Sequence, residues 1–255
     1  MLPYADNKGI RIHYKTEGDG PPLVMHHWSL ASLEWWYDFG YVSSMKDDYN
    51  LILLDARGHG SSDKPHDPEA YDIKHRVSDV TAVLDDLEIE KAHFLGYSMG
   101  GWVGFGLARY GPDRFHSLII GGAHPYAQSM ERIRQLVRQG IEHGAEAFIK
   151  AREKTLGVMS SEQRERMSLC DFNALLAVAQ DRPDESAVLP TMKMPCLIFV
   201  GELDVACQLA RECAQHVLNS RFVVLPALDH SECIKHSDLL VPHVRRFLAG
   251  VQPQD

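Results

Sequence analysis

The 255-residue sequence has no window that approaches the roughly 20 consecutive apolar residues of a membrane span, so no membrane partner is expected. The opening stretch, Met1 to Gly20, is polar and carries no apolar signal-peptide core, and the expected location is the cytoplasm. Basic residues are in deficit. Lys and Arg total 26 against 35 Asp and Glu, and the formal charge of −9 repels a phosphate backbone, which argues against nucleic acid as a partner. Cysteine is scarce: Cys170, Cys196, Cys207, Cys213 and Cys233 are odd in number, scattered and without a C-x-x-C pair, so neither a disulfide framework nor a redox motif is indicated. His230, Cys233 and His236 recur at three-residue spacing, but no fourth ligand is placed, and no metal or organic cofactor is expected. There is no internal repeat or low-complexity tract.

What is present is an ordinary globular balance, 45% apolar and 24% charged, enough for one domain with an insertion. Short β-branched apolar runs alternate with longer amphipathic stretches, the pattern of βα repetition and a mostly parallel sheet. Strands are expected at Ile10 to Tyr14, Leu23 to His26, Leu51 to Asp55, His93 to Leu95, Ser117 to Ile120, Leu197 to Val200 and Phe222 to Leu225. Helices are expected at Leu33 to Met45, Ile73 to Leu87, Met99 to Tyr110, Leu209 to Leu218 and Leu239 to Leu248, from apolar residues at three- and four-residue spacing. Pro125 to Met194 breaks the rhythm with helical patterns only (Met130 to Gly140, Ala145 to Leu156, Ser161 to Gln180). It reads as a helical cap of residues 125–194 interrupting a core of residues 1–124 and 195–255. The tail from Gly250 to Asp255 is expected to fray.

The sharpest local signal is Gly96-Tyr97-Ser98-Met99-Gly100-Gly101, a G-x-S-x-G run directly after a strand and directly before a helix. A serine on so tight a turn needs small residues two positions before and after it, which Gly96 and Gly100 supply. A phosphate-binding loop would need a Lys-Ser/Thr or G-x-G-x-x-G frame, which the run lacks. A serine hydroxyl becomes a nucleophile only when a base takes its proton and a third group orients that base. Among 14 histidines, His230 follows the last expected strand, in a loop that opens the final helix, and fits the order serine, acid, histidine. His59, His66, His75, His116, His216 and His243 read as solvated. Asp204, just past Leu197 to Val200, stands where open sheets gather functional residues, with Glu202 as the neighbouring alternative. Asp229 is assigned to the loop backbone.

Acyl chemistry also needs two amide donors for the developing oxyanion. By position in the motif they are the amides of Met99 and Trp28. Candidate substrate contacts are His27, Tyr97, His124, Phe148 and Met159. Arg132, Arg134 or Arg138 would serve a substrate that bears a carboxylate.

These residues together resemble the serine α/β-hydrolase family over nearly the whole chain outside the cap. Asp55-Ala56-Arg57-Gly58-His59-Gly60-Ser61-Ser62 resembles the family's D-x-R-G-x-G-x-S segment, and Gly201 to Asp204 is similar to its acid loop. The resemblance is greatest to small carboxylesterases and lactonases of the 3-oxoadipate enol-lactonase and acyl-homoserine lactonase types. It implies an α/β-hydrolase fold, a mostly parallel central sheet flanked by helices, with a helical cap inserted after the sixth strand. Two departures stand out: His27 replaces the glycine usual before the oxyanion residue, and Asp229 the glycine common before the histidine. The expected activity is cleavage of a small-molecule carboxylic ester or lactone, N-acyl-homoserine lactones included, through an acyl-enzyme on Ser98, by a monomer or homodimer. The alternatives are a C–C bond hydrolase of the meta-cleavage type and a ligand receptor built on the same fold.

Overall fold

The inner parallel strands are buried on both faces, which is why each reads as a short, unbroken apolar run, and only the strand at the parallel edge of the sheet is half-buried. The computed structural model describes residues 3–251, so the tail expected to fray lies from residue 252 on outside the described residues. Eight strands are described: β1 (Tyr4–Asn7), β2 (Ile10–Glu17), β3 (Pro22–His26), β4 (Asn50–Leu54), β5 (Ala92–Tyr97), β6 (Phe115–Gly121), β7 (Cys196–Gly201) and β8 (Ser220–Leu225). They form one sheet in the order β1-β2-β4-β3-β5-β6-β7-β8, antiparallel at β1–β2 and β2–β4 and parallel from there on. Alternate residues feed two cores. Leu23, Met25, Leu95, Leu197 and Phe199 face one side, and Val24, Phe94, Cys196, Ile198 and Val200 face the other.

The strand order reverses at β3, which has β4 on one side and β5 on the other. Crevices at the carboxyl ends of such reversals are where open sheets bind ligands. His26 pairs with Gly96, so the loop leaving β3 starts beside the end of β5.

Eleven helices are described: α1 (Glu34–Asp38), α2 (Tyr41–Met45), α3 (Ile73–Asp86), α4 (Met99–Tyr110), α5 (Glu131–His143), α6 (Ala145–Leu156), α7 (Ser161–Ser168), α8 (Phe172–Val178), α9 (Cys207–His216), α10 (His230–Lys235) and α11 (Ser237–Leu248). Several depart from expectation. The helix expected over Leu33 to Met45 breaks in two at Gly40, whose φ of 76° lies in the left-handed region that glycine tolerates. Ser161 to Gln180 divides where Asp171 caps the Ala174 amide and starts a new helix. Two elements were not expected: β1, whose four residues are too short to show a period, and α10. With β1 counted, the helical insertion follows the sixth strand.

That insertion, α5 to α8, does not build a core of its own: Val137, Phe148, Ile149, Met167 and Leu175 join the cluster that holds Trp28, Trp35 and Leu95. Its two ends are pinned to each other by a reciprocal backbone bridge, Gln128 N to Arg182 O at 3.0 Å and Arg182 N to Gln128 O at 2.9 Å. Lys235 Nζ of α10 donates to Leu156 O at 2.6 Å, tying the insertion to the segment that carries His230.

Asp55, at the end of β4, organises the turn below the site. Its carboxylate accepts from His13 Nδ1 at 2.7 Å, Leu33 N at 2.8 Å and Ser61 N at 2.9 Å. Burial pushes the carboxyl pKa up, but these hydrogen bonds, with His27 nearby, outweigh it and hold the pKa below the usual 3.8. A depressed pKa means that the stabilisation is present above about pH 4 and is lost as pH falls through the folded value. Asp55→Ala is therefore expected to lower the unfolding free energy by about 3 kcal/mol at neutral pH. The gap between the two proteins should narrow at pH 3 when both are followed by urea denaturation.

Candidate active site

At the carboxyl edge the sheet delivers four loops. β5 ends in Tyr97 and turns sharply at Ser98, with φ 53° and ψ −102°, into α4. Few non-glycine residues adopt that conformation. It is held on both sides, by Ser98 N donating to Gly121 O at 2.8 Å and by Trp102 N donating to Ser98 O at 2.9 Å. The flanking glycines are obligatory. A Cβ on Gly96 would collide with the Gly100 carbonyl, and one on Gly100 with the His26 carbonyl. Ser98 is half-buried, at the N-terminus of a twelve-residue helix whose dipole favours negative charge.

Asp204 lies three residues past β7, with its side chain sealed from solvent. Its Oδ1 accepts from Ala206 N at 2.9 Å, and its Oδ2 meets His230 Nδ1 at 2.6 Å. Because a carboxylate only accepts, that contact puts the His230 proton on Nδ1 and leaves the Nε2 lone pair free. The His230 side chain is 42% exposed. It opens α10, whose N-cap is Asp229, accepting from the amides of Ser231 and Glu232 at 2.8 and 2.9 Å. Asp229 thus serves the backbone. Glu202 accepts from Ala227 N at 2.9 Å, away from His230. Tyr97 fixes the histidine from below: its hydroxyl donates to His230 O at 2.6 Å, and the two rings lie 5.2 Å apart. Ser98 and His230 therefore converge on Tyr97, while the Ser98 hydroxyl itself makes no hydrogen bond among the described residues.

The loop after β3 is built on neutral histidines. His27 donates from Nδ1 to Trp28 O at 2.7 Å and accepts at Nε2 from Ala56 N at 3.0 Å. His59 accepts from Leu30 N at 3.2 Å, and Leu30 takes a φ of 62°. Burial depresses the pKa of all three neighbours, His26 to about 3 and His27 and His59 also downward, so the loop rests on uncharged rings. Trp28 packs flat on Phe39 and edge-on to Trp35, Trp36 and Tyr97. The Trp28 and Met99 amides donate to no acceptor among the described residues.

Several expected contacts fall elsewhere. His27 is fully buried with both ring nitrogens engaged, which corrects its placement as a substrate contact. His59, expected in solvent, is buried in the same network. Tyr97 is buried and committed to His230, Phe148 is buried against Phe172, and Met159 is buried in the apolar cluster. His124 is buried with an unpartnered Nδ1. Arg132 is exposed, while Arg134 and Arg138 pair with Glu131. Of the suggested metal trio, His230 pairs with Asp204, Cys233 is buried and His236 faces Glu232 and Asp238; among the described residues no three potential ligands converge.

Beside the elbow, between core and insertion, lies a cavity of about 460 Å³ walled by Leu30, Met99, Trp102, Met130, Leu175 and Val178. Two of its polar walls, Arg76 and Arg182, were not expected from the sequence. Arg76 carries a sequence signal: it falls on the apolar face of α3 at the spacing Ile73, Arg76, Val77, Val80, where a charged residue is buried.

The model of the alpha/beta hydrolase fold matches residues 21–169. Among curated relatives, 3-oxoadipate enol-lactonase 2 of Acinetobacter baylyi is 30% identical over 237 residues, 86% of each chain. Among solved structures, the enol-lactonase of Burkholderia xenovorans superposes with a TM-score of 0.84 at 26% identity, covering 97% of this chain and 100% of that one. An esterase from Rhodococcus shares the fold with a TM-score of 0.83 at 22% identity, over 98% and 99% of the two chains. No helix among the described residues is long and apolar enough to cross a membrane.

Proposed function

The chain belongs to the alpha/beta hydrolase fold family, and we propose that within it this protein is a serine hydrolase of carboxylic esters and lactones that works through an acyl-enzyme. The observation that carries the proposal is the Asp204–His230 contact at 2.6 Å, packed on Tyr97, the residue that precedes a serine held at a strained strand-to-helix turn. The relatives named as enol-lactonase support the same chemistry.

In this reading Ser98 Oγ attacks the substrate carbonyl carbon while its proton passes to His230 Nε2. Asp204 keeps the ring in the tautomer that can accept it and stabilises the imidazolium. The carbonyl oxygen becomes an oxyanion and takes hydrogen bonds from the amides of Trp28 and Met99, neither of which serves the backbone. Collapse breaks the acyl–oxygen bond, and His230 returns the proton to the departing alkoxide, leaving the acid esterified to Ser98. Water then gives a proton to His230 and adds to the acyl carbon. Expulsion of Ser98 Oγ, reprotonated by His230, releases the acid. The helices of residues 125–194 act as the cap over this chemistry, since they share their apolar contacts with Trp28 and tie to α10 through Lys235.

The test is a panel of p-nitrophenyl esters, simple lactones, an acyl-homoserine lactone and a vinylogous diketone, followed by chromophore release and pH drop. Turnover of an ester or lactone is expected. Turnover of the diketone alone would assign C–C hydrolysis instead, and no turnover with ligand-dependent capture of a partner would assign a receptor.

A further inference from the structure

A guanidinium taken out of water is costly unless a carboxylate meets it. The chain obeys this at Arg57, which is buried and gripped by both oxygens of Asp79, each at 2.5 Å. It does not obey it in the cavity beside the elbow. Arg76 and Arg182 both line that cavity, at 5% and 8% exposure, and neither bonds a carboxylate. Arg76 donates only to neutral acceptors: Tyr71 O at 2.8 Å, Val178 O at 3.1 Å and Met99 Sδ at 3.3 Å. Arg182 donates through Nη1 to Gln128 Oε1 at 3.1 Å, and its Nε and Nη2 have no acceptor among the described residues. Both guanidinium groups lie against the Trp102 ring, 5.8 and 5.1 Å from its centre.

Three of the four carboxylates at the rim are already committed, and the fourth is turned to solvent. Asp72 caps α3 through Lys74 N at 2.8 Å, Asp181 takes Arg134 at 2.8 Å and the Met130 amide, and Glu185 pairs with Arg109. Glu69 is exposed. Burial lowers the Arg182 pKa to about 9, with the charge of Arg76 acting in the same direction, so two like charges face one cavity across the Trp102 ring, and the Asp79 charge that acts on Arg76 is the one Arg57 already grips. A planar carboxylate suits the free edge of a guanidinium, which presents parallel N–H donors from Nε and Nη2.

We propose that this cavity binds a carboxylate carried by the ester or lactone substrate, held by Nε and Nη2 of Arg182 with Arg76 as the second positive charge. The substrate class is then an ester or lactone acid, its reacting carbonyl at Ser98 and its free carboxylate past Met99. This rests on the reading of Ser98 as nucleophile. Its own test is an equilibrium one and does not depend on turnover.

In the Ser98→Ala background, adipate and its neutral diamide are titrated by calorimetry. Adipate is expected to bind at least about tenfold more tightly, as a charge-assisted pair demands. Arg182→Gln in that background should erase the difference, and Arg182→Lys should keep part of it. Equal binding of adipate and diamide would overturn the proposal without any Arg182 variant, so a failure of those variants to fold does not shield it. Preference for adipate that survives Arg182→Gln in a folded protein would overturn it as well. Should adipate win while no ester or lactone is turned over, the carboxylate site stands and the acyl-transfer reading of Ser98 fails.

Discussion

Ser98→Ala is expected to lower kcat/KM for a p-nitrophenyl ester by at least about a thousandfold, with the melting temperature and circular dichroism unchanged. The size follows from the mechanism: without Oγ no acyl-enzyme forms, and only the oxyanion donors and binding remain to speed attack by water. The unchanged fold follows from the local structure. Ser98 is half-buried and its hydroxyl makes no hydrogen bond among the described residues, so its loss opens no cavity and orphans no buried partner. Alanine takes the 53° φ at the same cost as serine, because the strain lies between Cβ and the backbone. A burst of p-nitrophenolate equal to the enzyme concentration should accompany wild-type turnover of a slowly deacylated ester and vanish in the variant. Activity within about tenfold of wild type, measured on protein free of wild-type contamination, would remove Ser98 from the mechanism.

The parts of this molecule that were legible in its sequence are those fixed by local sterics. The elbow could be read because Gly96 and Gly100 are places where any Cβ collides with backbone, and because a buried strand and a helix bracket them within a dozen residues. Asp204 and His230 could be placed because each follows a short apolar run, and parallel strands bring all their carboxyl ends to one edge. Long-range packing was not legible. Nothing in the spacing of His59 says that it is buried, since it is the distant Leu30 amide that recruits it. The candidate arginines in α5 were sought at the start of the insertion, yet their helix turns them to solvent, to Glu131 or to Asp181. The buried pair comes instead from α3 and from the segment after α8 that bridges back to Gln128, 106 positions apart, and only the fold brings Arg76 and Arg182 to one tryptophan. Arg76 interrupts an apolar face and could have been flagged; Arg182 follows Asp181 in a polar stretch with no periodic signal.

Asp204→Asn is the sharper test of how His230 works, because it changes almost nothing but a proton. Asp204 Oδ1 accepts from Ala206 N at 2.9 Å, so the asparagine carbonyl oxygen takes that place and its amide nitrogen turns toward His230 Nδ1. An amide nitrogen donates. His230 must then accept at Nδ1 and carry its proton on Nε2, where it cannot receive one from Ser98. The expected result is a fall in kcat of about three to four orders of magnitude, the scale of a tautomer error in such a triad. KM should change little, since neither residue 204 nor its partner walls the cavity beside the elbow. Glu202→Gln supplies the contrast. Glu202 sits two residues away in the same loop, is exposed and bonds only the Ala227 amide. Losing its charge is expected to leave kcat within about twofold, a surface-scale effect. If both substitutions lower kcat equally, loop integrity rather than the tautomer of His230 sets the rate. If only Asp204→Asn does, the buried carboxylate acts through the imidazole.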